Sequence, residues 1–383
     1  MGVARHGSLS LKGTMMHIGI DGSRLSATAT GTERYTFELL RHLGHLDSSR
    51  RYTIYTNGLP PTLPPLGRNF ALRSIPYPRL WTHIRLSLEM QRFPPDILFI
   101  PAHVLPLLHP KRSIVTLHDI GYHYFPKAHT LARRLDLHLS TLWSAKAAWK
   151  LITVSHATKR DLMTRYGIAE EKLTVIYHGV SPSFQPVEDP KVIEEVQTRY
   201  GLREGQGKQP LPYFLYVGTI QPRKNLERLL EAFAQVAVKR EVQLVLGGKK
   251  GWLTKAIEQK ATELGIVGKV KFIGYVAEAD LPALLSGALA FVFPSLYEGF
   301  GMPVLEAMAC GVPVLTSTTS SLPEVAGNAA LLVDPLSLQA IADGLERLFE
   351  NAALRAKLQE LGFLQAKSFT WERCAASTLD VLS

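Results

Sequence analysis

Glu298 and Glu306 stand eight positions apart in EGFGMPVLE, with Gly299 and Gly301 flanking Phe300 between them. Paired carboxylates ordinarily suggest proton transfer. Glycines ahead of a helix suggest something else, a turn whose free N–H groups and helix dipole attract an anion. The helix begins near Pro303, which suits a first turn, and stops at Gly311, which suits the C′ position. Glu306 then sits about one turn inside it. There it is out of reach of a phosphate at the tip but able to accept two hydrogen bonds from a vicinal diol such as a ribose. Glu298, ahead of the turn, meets the opposite end of a bound diphosphate, where sugar hydroxyls would lie. Two carboxylates repel a diphosphate unless cations intervene, and VGTIQPRKN (217–225) supplies Arg223 and Lys224. Asn225 is expected to cap the following helix, which aims both cations at the same cleft to neutralise a leaving diphosphate without a metal. Each part alone reads as ordinary surface. Together, each at a strand's end, they describe a site for a diphosphate flanked by hydroxyl-bearing groups.

The elements that position these residues repeat along the chain. HIGI, YTIYT, DILFI, SIVTL, LITVS and LTVIY read as strands before residue 190, and YFLYVG, VQLVLGG, KVKFIG, ALAFVF and VPVLTS after it. Amphipathic helices lie between them, such as the one carrying Leu226, Leu229, Leu230 and Phe233 on one stripe. Alternation of this kind implies α/β domains with parallel sheets, and 383 residues exceed one core. The proline-rich SPSFQPVEDP (181–190) separates the halves. The expected organisation is a disordered arm over 1–15, a first Rossmann-like domain over 16–185 and a second over 190–367. A C-terminal helix over 368–383 would follow, free to pack back on the first domain. Ligands of such sheets bind beyond the carboxyl ends of the strands.

Charge is unevenly spread. Residues 1–190 hold 23 Lys and Arg against 13 Asp and Glu, while residues 191–383 hold 20 of each, so the whole excess of +10 lies in the first half. That half suits an anionic partner, a lipid surface or a lipid-linked phosphate among them, unless the excess serves solubility alone. Aromatic-interleaved basic clusters of the nucleic-acid type are absent. Two cysteines form no disulfide framework. With no secretory signal and no spanning apolar run, the expected location is cytoplasmic, peripheral at the inner membrane face if LARRLDLHLSTLWSAKAAW (131–149) lies on a surface. The blander reading makes that segment a buried amphipathic core helix.

SLYEGFGMPVLEAMACGVPV, VGTIQPRKNLERLLEAF and SSLPEVAGNAALLVDP together resemble the retaining GT-B glycosyltransferases of family 4, with Glu298 and Glu306 as the E-x7-E pair. The resemblance implies two Rossmann-like domains facing a cleft. It implies a hexose donor activated as a nucleoside diphosphate, with GDP-hexose favoured over UDP-hexose, no cofactor, and a glycan, lipid-linked or small-molecule acceptor. Glu306 would hold the ribose, Arg223 and Lys224 the diphosphate, and Glu298 with the amides near Phe300 and Gly301 the sugar. Gly218, Gly247, Ile273 and Tyr275 fall where the family cradles the nucleotide. VTLHDIGYHYFP places His118 and Asp119 like the family's HD pair beside the transferred sugar. A packed or capping histidine, or a metal site with His103 and His123, remains open there. Gly31 precedes a helix whose N-cap would be Thr32, in TGTERY where relatives commonly read TGIGRY. Other readings of the pattern are a nucleotide-sugar epimerase, a phosphorylase, a two-carboxylate hydrolase and a non-catalytic sugar-binding module. A dehydrogenase is disfavoured, since neither half opens with G-x-G-x-x-G.

Overall fold

The computed structural model describes residues 15–25, 31–128, 130–203, 210–248 and 254–383. Apart from Met15, the arm expected over 1–15 lies outside them, as does part of the loop before Gly31. Two wholly parallel sheets organise the chain. The first contains β1 (His17–Asp21), β2 (Arg51–Thr56), β3 (Phe70–Ser74), β4 (Ile97–Ile100), β5 (Ser113–Leu117), β6 (Lys150–Thr153) and β7 (Leu173–Val175). Its order is β3-β2-β1-β4-β5-β6-β7. The second contains β8 (Tyr213–Val217), β9 (Gln243–Gly247), β10 (Val270–Gly274), β11 (Ala290–Phe293), β12 (Val314–Ser317) and β13 (Leu331–Val333), in the order β10-β9-β8-β11-β12-β13. Both are doubly wound, and in each the order reverses beside the first strand, β1/β4 and β8/β11. A reversal leaves a crevice between helices that diverge to opposite faces.

Apolar strands follow from this burial. Residues 97–100 and 290–293 are buried throughout, because helices cover both faces of a parallel sheet. The strands β3 and β13 were not anticipated. FALRS is an edge strand with mostly exposed side chains, and LLV is only three residues long, so neither carries the apolar run that marks a central strand.

The C-terminal helix Trp371–Val381 packs against the first domain. Trp371, Cys374, Ala375 and Val381 join the core formed by Ile18, Tyr35 and Leu39, and His42 Nε2 lies 3.1 Å from Glu372. Contacts also cross the cleft directly. The Tyr297 hydroxyl donates to Asp161 at 2.7 Å, and Glu324 accepts from the backbone N–H groups of His156 and Ala157, at the start of the helix His156–Tyr166. A carboxylate there satisfies unpaired donors and complements the helix dipole.

The helix Leu131–Ala147 meets the core reading of its segment only along one face. Only Thr141, Ser144 and Ala145 are buried, while Leu131, Leu135 and Leu139 expose more than half their surface (78%, 56% and 53%) along one face. Its inner face places Ala145 in the first domain's core with Leu137 and Leu142 half-buried against it, so leucines occupy both the inner and the outer face.

Candidate active site

The loops after β8 and β11 meet through buried charge. Arg223 and Lys224 occupy a short 3-10 turn, Pro222–Lys224, and both point at Glu298. Arg223 Nη1 donates to Glu298 Oε2 at 2.6 Å and to the Tyr297 carbonyl at 3.0 Å, while Lys224 Nζ reaches Glu298 Oε1 at 2.5 Å. The Lys224 ammonium also lies 4.5 Å from the centre of the Phe293 ring. Burial pushes the Glu298 carboxyl up, but Lys224 and Arg223 outweigh it and hold the group below its ordinary range. For Lys224 burial wins. Its pKa falls to about 8, with Glu298 opposing the fall and Arg223 adding to it. The carboxylate assigned to a sugar is the counter-ion of the cations assigned to the diphosphate.

Asn225 takes the position ahead of the helix Leu226–Ala237 but does not cap it. It adopts φ 61°, and its amide donates to the carbonyls of Pro294 (3.1 Å) and Pro335 (2.7 Å). Its oxygen, the atom that would cap, accepts instead from Arg228 Nη1 at 2.6 Å, while the amide ties the loops after β8, β11 and β13 together.

The glycine turn is equally constrained. Ser320 and Ser321 donate to the Glu298 carbonyl, and Ser321 also to that of Phe300 at 2.6 Å. Gly301 has φ 116°, a conformation that side chains disfavour, and precedes the helix Met302–Ala309 with Pro303 in its first turn. At Gly299 a Cβ would fall 2.2 Å from the His118 carbonyl oxygen of the other domain, so the absent side chain is what lets the domains meet.

Glu306 is buried on that helix, and Arg34 of the first domain donates to it at 3.0 Å. The same guanidinium donates to Glu278 at 2.7 Å. Burial raises the Glu306 carboxyl, Arg34 opposing and Glu278 reinforcing the rise. Arg34 stands one turn into the helix Thr32–Leu46; Gly31 occupies the N-cap position and Thr32 is the first helical residue, not the cap.

His118, after β5, is buried and donates from Nε2 to the Pro101 carbonyl at 2.8 Å. A carbonyl only accepts, so Nε2 carries the proton and Nδ1 remains an acceptor. Burial, aided by His103, drives its pKa to about 3, hence the ring is neutral. It packs among rings of its own domain, with Tyr35 at 4.9 Å, His103 at 5.4 Å and His178 at 5.5 Å. Among the described residues, no three His, Cys, Asp or Glu side chains are grouped to hold a metal ion.

These residues surround one cavity of ≈ 400 Å³ between the domains. Of the expected site residues, Gly31, His118, Gly218, Arg223, Lys224, Tyr275, Glu298, Gly299, Phe300, Gly301 and Glu306 line it. Gly247 and Ile273 do not. Gly247 ends the buried strand β9, and the neighbouring Gly248, just past the strand, lines the wall instead. Sequence reasoning missed Arg34, His178, Glu278 and Trp371. The first and third are separated by 244 positions, and only folding joins them.

Comparison with known proteins adds the family. Residues 202–364 match the family described as Glycosyl transferases group 1, and residues 29–184 match Glycosyltransferase Family 4. O-antigen chain mannosyltransferase B of Escherichia coli is 33% identical over 272 residues, covering 70% of each chain. This chain is a GT-B glycosyltransferase of the family 4 type. It is also 32% identical to the MMP alpha-(1->4)-mannosyltransferase of Mycolicibacterium hassiacum, over 61% of this chain and 53% of that one. Among solved structures, WaaG, a glycosyltransferase involved in lipopolysaccharide biosynthesis, superposes with a TM-score of 0.72 at 18% identity, over 96% of this chain and all of its own. Anabaena Alr3699/HepE in complex with UDP-glucose gives 0.71 at 18%, over 96% and 100%. At such identities the two structures establish the fold of this glycosyltransferase, two Rossmann-like domains about a cleft.

Proposed function

We propose that this glycosyltransferase moves a hexose from a nucleoside-diphosphate sugar to a hydroxyl of a glycan, lipid-linked or small-molecule acceptor, with retention and without a metal. The observation that carries the reading is the meeting of Arg223, Lys224, the N-terminal turn after Gly301 and the buried Glu306 in one cavity. Cations and free N–H groups suit the diphosphate, and Glu306 suits the ribose. Glu298 turns to the sugar hydroxyls once the donor takes over its two cations. In the transfer the bond from C1 to the β-phosphate oxygen breaks and a bond to the acceptor oxygen forms on the same face. The acceptor proton passes to the departing phosphate, so no protein nucleophile is required. Neutral His118 offers Nδ1 to a hydroxyl of the transferred sugar. The mannosyltransferase names of the relatives favour a GDP-hexose over a UDP-hexose.

A donor panel with acceptor present tests the reading. Nucleoside diphosphate should be released only with acceptor, product NMR should report the donor's anomeric configuration, and chelator should leave the rate unchanged. Arg223→Ala/Lys224→Ala should turn over at least a thousandfold more slowly, in line with loss of charge stabilisation in a buried site. Unchanged turnover in that double variant refutes the assignment.

The exposed leucines of Leu131–Ala147 support peripheral contact with an anionic membrane. Arg112 and Lys150 stack on Trp149 just past the C-terminal end of that helix, adding an aromatic and basic group of the kind a lipid interface uses. No helix among the described residues is long and apolar enough to cross a membrane. Cosedimentation with phosphatidylglycerol vesicles should be lost in Leu135→Glu/Leu139→Glu, and equal retention of both proteins would count against the contact.

A further inference from the structure

A second cavity of ≈ 400 Å³ is built mainly by the first domain and shares Asp119 and Arg223 with the cavity already described. Volumes of this order hold small-molecule ligands. Because Arg223 belongs to both walls, a molecule in the second cavity meets the donor on its diphosphate side. A same-face transfer takes its acceptor from that side. Glu33 lines the second cavity and Arg34 the first, so adjacent residues at the start of the helix Thr32–Leu46 serve the two chambers separately.

Each arginine of the second wall faces a carboxylate. Arg223 donates to Glu298 at 2.6 Å and Arg133 to Asp136 at 2.6 Å, while Arg24 Nη1 lies 3.9 Å from Glu33 Oε1, too far for a hydrogen bond. Asp119 accepts from the Gly121 N–H through Oδ1 at 2.8 Å. Among the described residues nothing donates to its Oδ2 or to either oxygen of Glu33. A phosphate entering here finds no cation without a carboxylate beside it, and it meets like charge from Glu33, Asp119 and the donor's diphosphate. A sugar ring fits better. Its hydroxyls donate to the two carboxylates, and Val104, Phe125 and Leu137 cover its C–H faces.

We propose that the second cavity binds an uncharged sugar ring of the acceptor and that Glu33 selects it, accepting from ring hydroxyls and repelling phosphorylated acceptors. The assignment rests on the nucleotide-sugar reading above and adds the acceptor's chemical class and the residue that sets it.

Transfer by the full chain to the methyl α-pyranosides of mannose, glucose and galactose, and to their 6-phosphates, tests this in wild type, Glu33→Gln and Glu33→Lys, with the nucleotide sugar that the donor panel selects. Wild type should use at least one uncharged glycoside, with kcat/KM at least about tenfold above that of its 6-phosphate. Glu33→Gln should raise KM for that glycoside by about tenfold and lower kcat by less than about threefold, as loss of a ground-state hydrogen bond does. The factor is modest because the Glu33 side chain is 31% exposed. Glu33→Lys should reverse the preference in favour of the 6-phosphate. Calorimetry with the donor's nucleoside diphosphate should give both variants the wild-type affinity, which separates a damaged cleft from an altered acceptor site. Wild type that uses the 6-phosphate as well as the glycoside, or uses no uncharged glycoside, overturns the proposal. An unchanged KM in Glu33→Gln overturns it too. All three leave the nucleotide-sugar reading standing while nucleoside diphosphate still binds, and a wild type that binds no nucleotide of the panel overturns both.

Discussion

Titrating Lys224 tests the electrostatic account most directly. Its ammonium is buried beside Glu298 and over Phe293, and its pKa falls from 10.5 to about 8 because burial disfavours the charged form, with Arg223 repelling it and Glu298 only partly compensating. Between those values the unfolded chain keeps the proton that the folded protein releases. Stability of the ligand-free protein therefore rises with pH across this window. The rise amounts to at most roughly 3 kcal/mol, at about 1.4 kcal/mol for each pH unit of the window. Below about pH 8 the group is charged in both states and this contribution is gone. Donor binding runs the other way, since the diphosphate needs the ammonium. Affinity for GDP should fall above about pH 8, by up to about tenfold per pH unit. It should level off when one charge-assisted hydrogen bond, worth about 1.5–3 kcal/mol, has been lost, or roughly 10- to 150-fold. Calorimetry from pH 6.5 to 9.5, in two buffers of different ionisation enthalpy, measures both the affinity and the proton taken up on binding. The phosphate's own second ionisation, near pH 6, lies below the window. Lys224→Arg remains charged throughout and should flatten the profile. A flat profile in the wild type, or the same fall in Lys224→Arg, refutes the reasoning.

Other consequences concern the pairing and the close approach. Glu298→Gln leaves Arg223 and Lys224 without their counter-ion, which should cost about 3–5 kcal/mol, read as a lowered Tm that GDP restores in larger measure than in the wild type. Gly299→Ala puts a Cβ against the His118 carbonyl and so props the domains apart. Its kcat should drop by about a hundredfold, the penalty for misplacing reacting groups by about 1 Å. Its affinity for GDP should change less than threefold, because the cations and Glu306 belong to the second domain; a parallel loss of both would count against a role in domain closure.

Much of the fold was legible because parallel strands buried on both faces must be apolar along their whole length. ILFI and AFVF announce themselves, whereas FALRS, on an edge, and LLV, three residues long, do not. The family and its GT-B architecture were legible as well, carried by motifs that are local in sequence. Helix Leu131–Ala147 was legible only in part for a related reason. Leucine spacing reports that a helix has an apolar face, but not whether that face meets core or solvent. Asn225 looked like a cap because its type and place are right for one, yet its amide serves carbonyls 69 and 110 positions away.

The sequence by itself determined which side chains share a strand end: Arg223 with Lys224 after β8, and Glu298 with the glycine turn and Glu306 after β11. Their spacing within one loop and one helical turn is covalent, so no distant contact can alter it. Tertiary structure alone decided how these groups are paired and what faces them. Glu298 meets Arg223 and Lys224 across two adjacent strand ends, Arg34 crosses the cleft to Glu306 and Glu278, and Gly299 admits the His118 carbonyl. Such pairings depend on strand order and on how the two domains close, and the resulting burial moves Lys224 towards neutral pH.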